Sequence, residues 1–428
     1  MTDDKIPVRV YFTISLLGFW LIASTLTFGM EHPGLIGTNL LSGALLVFLG
    51  LISRKHPTAL QIWAITGLGI WLQLSPLIFW ASKSGCYVND TFIGCWIIAL
   101  AITLHPMPGH TLREIPTIPP GWSYNPSAWP QRLPIAFIAF ICWMLARYLA
   151  AYQLGYIDTV WEPFFHPGTK SVLESTVSKA FPVSDAGLGA FAYTLEFFSA
   201  CQGGTNRWRT APWLVLVFGI LVIPVSIIST ILIILQPLAV GTWCTVCLLT
   251  AIAMLISIPF AVGEVAATLQ YLRRYKEKPF LTLLFRGGEC PNEKPDFISP
   301  RMDQPIGTLL KASLSGMTFP WNLVFSALLG IAIMATPSLF GLQGVLYNVD
   351  PILGAFTTVI SVISFAEISR NLRWVNCLFA LFLLLATWWF SHEQSFNTLL
   401  LHTGFSLLIA LLSFRKGPLR ERFSFQAL

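Results

Sequence analysis

Twelve apolar runs constrain this chain more than any other feature. They lie near residues 11–29, 37–53, 60–81, 91–105, 134–154, 186–202, 212–236, 244–270, 320–338, 351–369, 374–391 and 396–413. A helix crossing a bilayer needs ~20 mostly apolar residues. Composition agrees: 55% of the residues are hydrophobic and 11% charged, against roughly 25% charged in a soluble globule. The expectation is an all-α polytopic membrane protein with about twelve transmembrane helices and lipid as its surroundings. The run that opens the chain has a basic start but no small-x-small cleavage pattern, so it reads as a retained span. The formal net charge of +6 sits in short loops between spans, which excludes nucleic acid as a partner.

Loop charge gives an orientation. Lys5/Arg9, Arg54/Lys55, Arg113/Arg132, Arg207/Arg209, the stretch Arg273 to Lys311, Arg370/Arg373 and Arg415 to Arg422 fall on one side. The intervening loops carry Lys83, Lys170 and Lys179. By the positive-inside rule both termini are cytoplasmic and residues 241–247 face outward, as expected in a bacterial plasma membrane. Two basic, proline-bearing stretches divide the spans as four, four and four. The expected units are 1–105, a linker at 106–133, a central four-helix unit at 134–272, a second linker at 273–319, and 320–428. Both linkers read as lying along the membrane surface, with Trp122 and Trp129 as anchors.

Within the central unit, Gly241-Thr242-Trp243-Cys244-Thr245-Val246-Cys247 opens a long apolar run. A Cys-x-x-Cys pair at a helix start places both sulfurs on the first turn, where unpaired N–H groups and the helix dipole stabilise a thiolate. The same two residues also suit a plain membrane helix, because free cysteine behaves as a small hydrophobe. The spacing after a Gly-Thr-Trp turn favours redox chemistry. No second Cys/His pair lies at a usable spacing, so no metal is expected.

The outer thirds repeat a pattern. Leu72-Gln73-Leu74-Ser75-Pro76-Leu77 ends one run and Asn89-Asp90-Thr91-Phe92-Ile93-Gly94 begins the next. Met334 to Leu339 and Asp350-Pro351-Ile352-Leu353-Gly354 repeat it, and Asn39 to Gly43 is a weaker copy. These segments resemble the SPW-repeat membrane family, with Leu77 and Ser338 where the signature has Trp. The resemblance implies a packing module.

Residues 134–270 resemble the vitamin K epoxide reductase family. The carriers are Ser171-Val172-Leu173-Glu174-Ser175, the segment Phe181 to Gly189 with Tyr193, and the Cys244/Cys247 pair. The resemblance implies a four-helix membrane enzyme coupling thiol–disulfide exchange to a quinone of the ubiquinone or menaquinone type. It makes Cys244 and Cys247 catalytic, with Cys247 facing the quinone and Cys244 exchanging with an outer relay. It makes Ser184 and Asp185 quinone-binding; Asp185 stands where animal members carry an Asn. Two departures stand out. The loop Tyr156 to Phe181 has no cysteine, although the family usually carries a pair there, and Ala251 replaces a family Tyr. The electron donor is then a thioredoxin-like protein or a small thiol at the outer face.

Other residues have weaker claims. Cys86 and Cys95 flank the outer start of the fourth span and read as a disulfide, a substitute relay or two unrelated thiols. Cys142, Cys201, Cys290 and Cys377 read as inert. Arg147 reads as pairing with Asp185, attracting a quinone oxygen or snorkelling; Glu196 reads as facing a bundle interior. Asp158, Glu162 and His166 read as solvated loop residues. Glu31-His32 and His392-Glu393 fall at matching outer loops. The rival to an oxidoreductase is a membrane scaffold with a vestigial redox site, and after it a transporter, whose matched broken helices the sequence does not display.

Overall fold

The computed structural model describes residues 8–104, 115–275, 278–342, 344–390 and 395–423. The first four helices are α1 (Val8–Thr27), α2 (Pro33–Ser53), α3 (Ala59–Ile78) and α4 (Ser84–Ile102). The middle holds α5 (Trp129–Gln153), α6 (Gly168–Leu173), α7 (Asp185–Cys201), α8 (Arg207–Thr210), α9 (Pro212–Leu235) and α10 (Thr245–Arg274). Then come α11 (Phe280–Arg286), α12 (Ile306–Ser313), α13 (Trp321–Phe340), α14 (Val345–Ile363), α15 (Val375–Trp389) and α16 (Phe396–Phe414). A π-helical turn, Gln236–Val240, extends α9, and a 3-10 stretch, Glu367–Trp374, precedes α15.

Among the described residues, 11 helices are long and apolar enough to cross a membrane. The chain is an integral, multi-pass membrane protein. The twelfth expected span, 186–202, is α7, whose 17 residues reach about 25 Å at 1.5 Å per residue. Two starts differ from expectation. The helix expected near 91 begins at Ser84, and the one expected near 351 begins at Val345. In both cases polar residues that look like loop are buried inside a bundle. Asp90 accepts from Asn39 at 2.9 Å and from Asn89 at 3.0 Å. Asp350 accepts from Thr336 at 2.5 Å and pairs with His402 at 2.7 Å. Where every group must be satisfied within the protein, such residues cross-link helices instead of ending them.

The helices pack as neighbours in sequence. α1 lies on α2, α2 on α3, α3 on α4 and α4 on α1. α13, α14, α15 and α16 close a ring in the same order. Close approach within hairpins depends on glycine: a Cβ on Gly94 would sit 2.7 Å from the Gly69 carbonyl oxygen. Between these groups, α5 packs on α7, α7 on α9, α9 on α10 and α10 on α5, a four-helix bundle. α7 also touches α3 and α4, and α10 and α9 touch α14.

Trp122, expected as a surface anchor, turns into the protein instead. Trp122 is buried, donates to Gln270 of α10 at 2.8 Å, and packs against Tyr124 and Phe423. Strands β1 (Thr117–Ile118) and β2 (Lys294–Pro295) pair antiparallel, so the two linkers join each other. Trp129 is half-buried under the Arg132 guanidinium. An indole with a protein hydrogen-bond acceptor in reach is better satisfied there than at a headgroup.

Candidate functional site

Cys244 caps α10, and the Cys247 N–H donates to its sulfur at 3.1 Å. The two form a disulfide, with Cα atoms 5.3 Å apart. Gly241, with φ of 77°, ends the π-helical turn and lets the chain reverse into α10. The turn also aims Gln236 back at the site, where its Oε1 accepts from the Cys244 N–H at 2.9 Å. π-turns often mark functional positions, since the extra residue redirects side chains.

The two sulfurs have different surroundings. Cys244 is fully buried among Leu149, Leu173 and Val246. Cys247 borders a cavity of about 330 Å³ inside the four-helix bundle. Gly189 and Ala192 of α7 and Ala251 of α10 line it, small residues that leave the space open. Asp185 and Tyr193 contribute polar groups to the same wall, and residues 172–181 roof it.

Ser184 and Asp185 share the start of α7. Ser184 is the cap, its hydroxyl accepting from the Gly187 N–H at 2.9 Å, and Asp185 is the first helical residue. Asp185 accepts from the Ala186 N–H at 2.8 Å and from Gln153 Nε2 at 2.5 Å. Gln153 Oε1 takes the Ser184 hydroxyl proton donor in turn. Asp185 therefore reaches the cysteine cavity, whereas Ser184 lines a neighbouring outer one of about 380 Å³.

Glu162, expected to be a solvated loop residue, is tied to the cysteine segment. Its carboxylate accepts from Phe164 N, Phe165 N, Thr169 N and Thr169 Oγ1 at 3.2, 3.1, 3.1 and 2.5 Å. It also accepts from the Thr245 N–H at 2.9 Å and from the Thr245 hydroxyl. Burial alone would raise this carboxyl, but the donors of Thr169, Thr245 and Phe165 outweigh it and hold it down at about 2. Gly168 lies against the Trp243 carbonyl, where a side chain would collide. The outer loop is thus clasped onto the start of α10.

Arg147 does not pair with Asp185. It leaves α5 for the first ring, donating to Thr91 at 2.8 Å and lying over the rings of Tyr87 and Trp143. Cys86 and Cys95 are free thiols: Cys86 is buried, and Cys95 accepts from Gln73 at 3.4 Å. Cys142, Cys201, Cys290 and Cys377 are free too. Glu196 faces the bundle interior, fully buried. His32 caps α2 and Glu31 pairs with Lys83 at the surface; His392 and Glu393 lie outside the described residues. No group of three metal-ligating side chains occurs among the described residues.

A helical membrane bundle with a Cys-x-x-Cys disulfide at the mouth of an apolar cavity has the parts of a membrane thiol oxidoreductase. Residues 133–262 match the Vitamin K epoxide reductase family, membrane oxidoreductases generally associated with quinones, and residues 10–104 match the SPW repeat domain. No curated protein and no solved structure matches the chain.

Proposed function

We propose that this protein is a membrane thiol–disulfide oxidoreductase in which Cys244 and Cys247 cycle between disulfide and dithiol against a quinone. The observation that carries the reading is the position of Cys247: it is joined to a buried helix-capping cysteine and borders the bundle's apolar cavity. The cavity fits a quinone ring. Its walls are apolar, and Asp185 and Tyr193 border it where ring oxygens need polar partners. A quinone there supplies a two-electron, two-proton acceptor. Cys247 and Cys244 release those two electrons and two protons as their thiols join in the disulfide. Gln236 and Gln153 hold the cysteine segment and the start of α7 in register, and Ser184 acts through α7 rather than by direct contact.

An external thiol, on a thioredoxin-like protein or a small molecule, then opens the disulfide from the outer face. The orientation with cytoplasmic termini puts the site outside, and the units 1–105 and 320–428 serve as two packing modules around the redox bundle of 134–272. The scaffold reading has support in one feature: Cys244 is fully buried, and no cysteine occurs in the covering loop 156–181. One experiment separates the two. Membranes holding the protein are supplied with a dithiol and a short-chain quinone, and hydroquinone is measured. Cys247→Ala should lower the rate on the order of a hundredfold or more. An unchanged rate would leave the scaffold standing.

A further inference from the structure

We infer that Glu162 is a positioning residue that sets the reduction potential of the Cys244–Cys247 couple. The inference deepens the redox reading above and rests on it. Cys244 stands at the start of α10, with the Cys247 N–H already directed at its sulfur. A thiolate formed there on reduction would be stabilised by the free N–H groups and the positive end of the helix dipole.

Glu162 occupies that same end. Its carboxylate takes the Thr245 N–H at 2.9 Å, the residue directly after Cys244, together with the Thr245 hydroxyl. Thr169 and the N–H groups of Phe164 and Phe165 supply the other donors, so the charge is fixed in place. A second anion at one helix start repels the first. The reduced state of the pair is thereby disfavoured relative to the disulfide. A dithiol that is harder to form is a stronger reductant, which drives its electrons onward to the acceptor in the cavity. The carboxylate does not touch that acceptor; it acts through the cysteine.

The test uses the full chain in detergent, equilibrated with mixtures of reduced and oxidised glutathione. The protein S–S bond breaks, two protein thiols form, and two glutathione thiols join as glutathione disulfide. The dithiol fraction is read by alkylation and mass. Glu162→Gln should shift the equilibrium toward the dithiol about tenfold, equivalent to about 30 mV for a two-electron couple. Glu162→Asp, which keeps the charge, should return most of the shift. Thr169→Val loosens the loop but leaves the charge, and should stay within about twofold of the native constant. Where Gln disorders the loop, Glu162→Ala gives the same direction without a misplaced amide. A folded Glu162→Gln protein with the native constant overturns the inference, as does Thr169→Val moving the constant equally far. A native chain whose pair never yields a dithiol removes the redox reading instead.

Discussion

The two ends of the central bundle handle polar groups in opposite ways. At the end away from the cysteine pair, called inner for convenience, Glu264 of α10 takes a two-pronged contact from Arg207 at 2.7 and 2.6 Å, and Ser127 donates to it at 2.5 Å. Arg207 gives its Nη1 hydrogens to the carbonyls of Ser199 and Gln202, and Arg132 binds those of Gln202 and Gly203. Buried charges and carbonyls pair with one another here. At the outer end, the polar groups of Asp185, Tyr193 and Cys247 are turned toward an open volume instead. The inner end fixes four helices and a linker; the outer end leaves room for a reactant. Paired buried charges suit a structural lock, and groups that border an open volume suit a binding site.

This contrast can be broken. Glu264→Ala should have the largest effect, since it strands the fully buried Arg207 guanidinium: loss of one member of such a pair costs about 3–5 kcal/mol. Unfolding in detergent should show it, and a variant as stable as the native chain would make the inner end expendable. Asp185→Ala should act at the other end and on another quantity, lowering quinone affinity about tenfold with a smaller loss of stability. Asp185→Asn keeps a polar partner in place and should hold the affinity. If alanine lowers stability alone, Asp185 belongs with the structural groups and the two ends are less different than described. The gentlest test changes no function. Thr282→Cys, with the native cysteines replaced, marks the inner side and should resist an impermeant thiol reagent in intact cells; labelling there would invert the two ends.

The apolar runs made the membrane fold legible in the sequence, because hydropathy alone specifies a span. The Cys244/Cys247 spacing made the disulfide pair legible for a related reason: i and i+3 on a first turn need no knowledge of distant chain. Helix starts at Ser84 and Val345 were not legible, since Asp90 and Asp350 look like loop until the partners Asn39 and His402 arrive from other helices. Glu162 is the clearest loss. Its donors include one residue 83 positions away, Thr245, through backbone and side chain together, and a loop carboxylate has no periodicity to betray it. Gln153 and Gln236 are hidden alike, each being an ordinary polar residue near a span end until the fold brings its acceptor to a particular N–H.

Residues 420–423 close over the first linker. Ser123 donates to Glu421 at 2.5 Å across 298 positions of sequence, Trp122 packs on Phe423, and the Glu367 carboxylate receives the Arg420 and Glu421 N–H groups. Synthesis and membrane insertion proceed from the amino end. Every described helix therefore precedes this clasp in synthesis. Until then Trp122 and Tyr124 lack their aromatic neighbour Phe423. Among the contacts described, the one between residues 420–423 and Ser123, Trp122 and Glu367 is therefore the last that a chain made from the amino end can form.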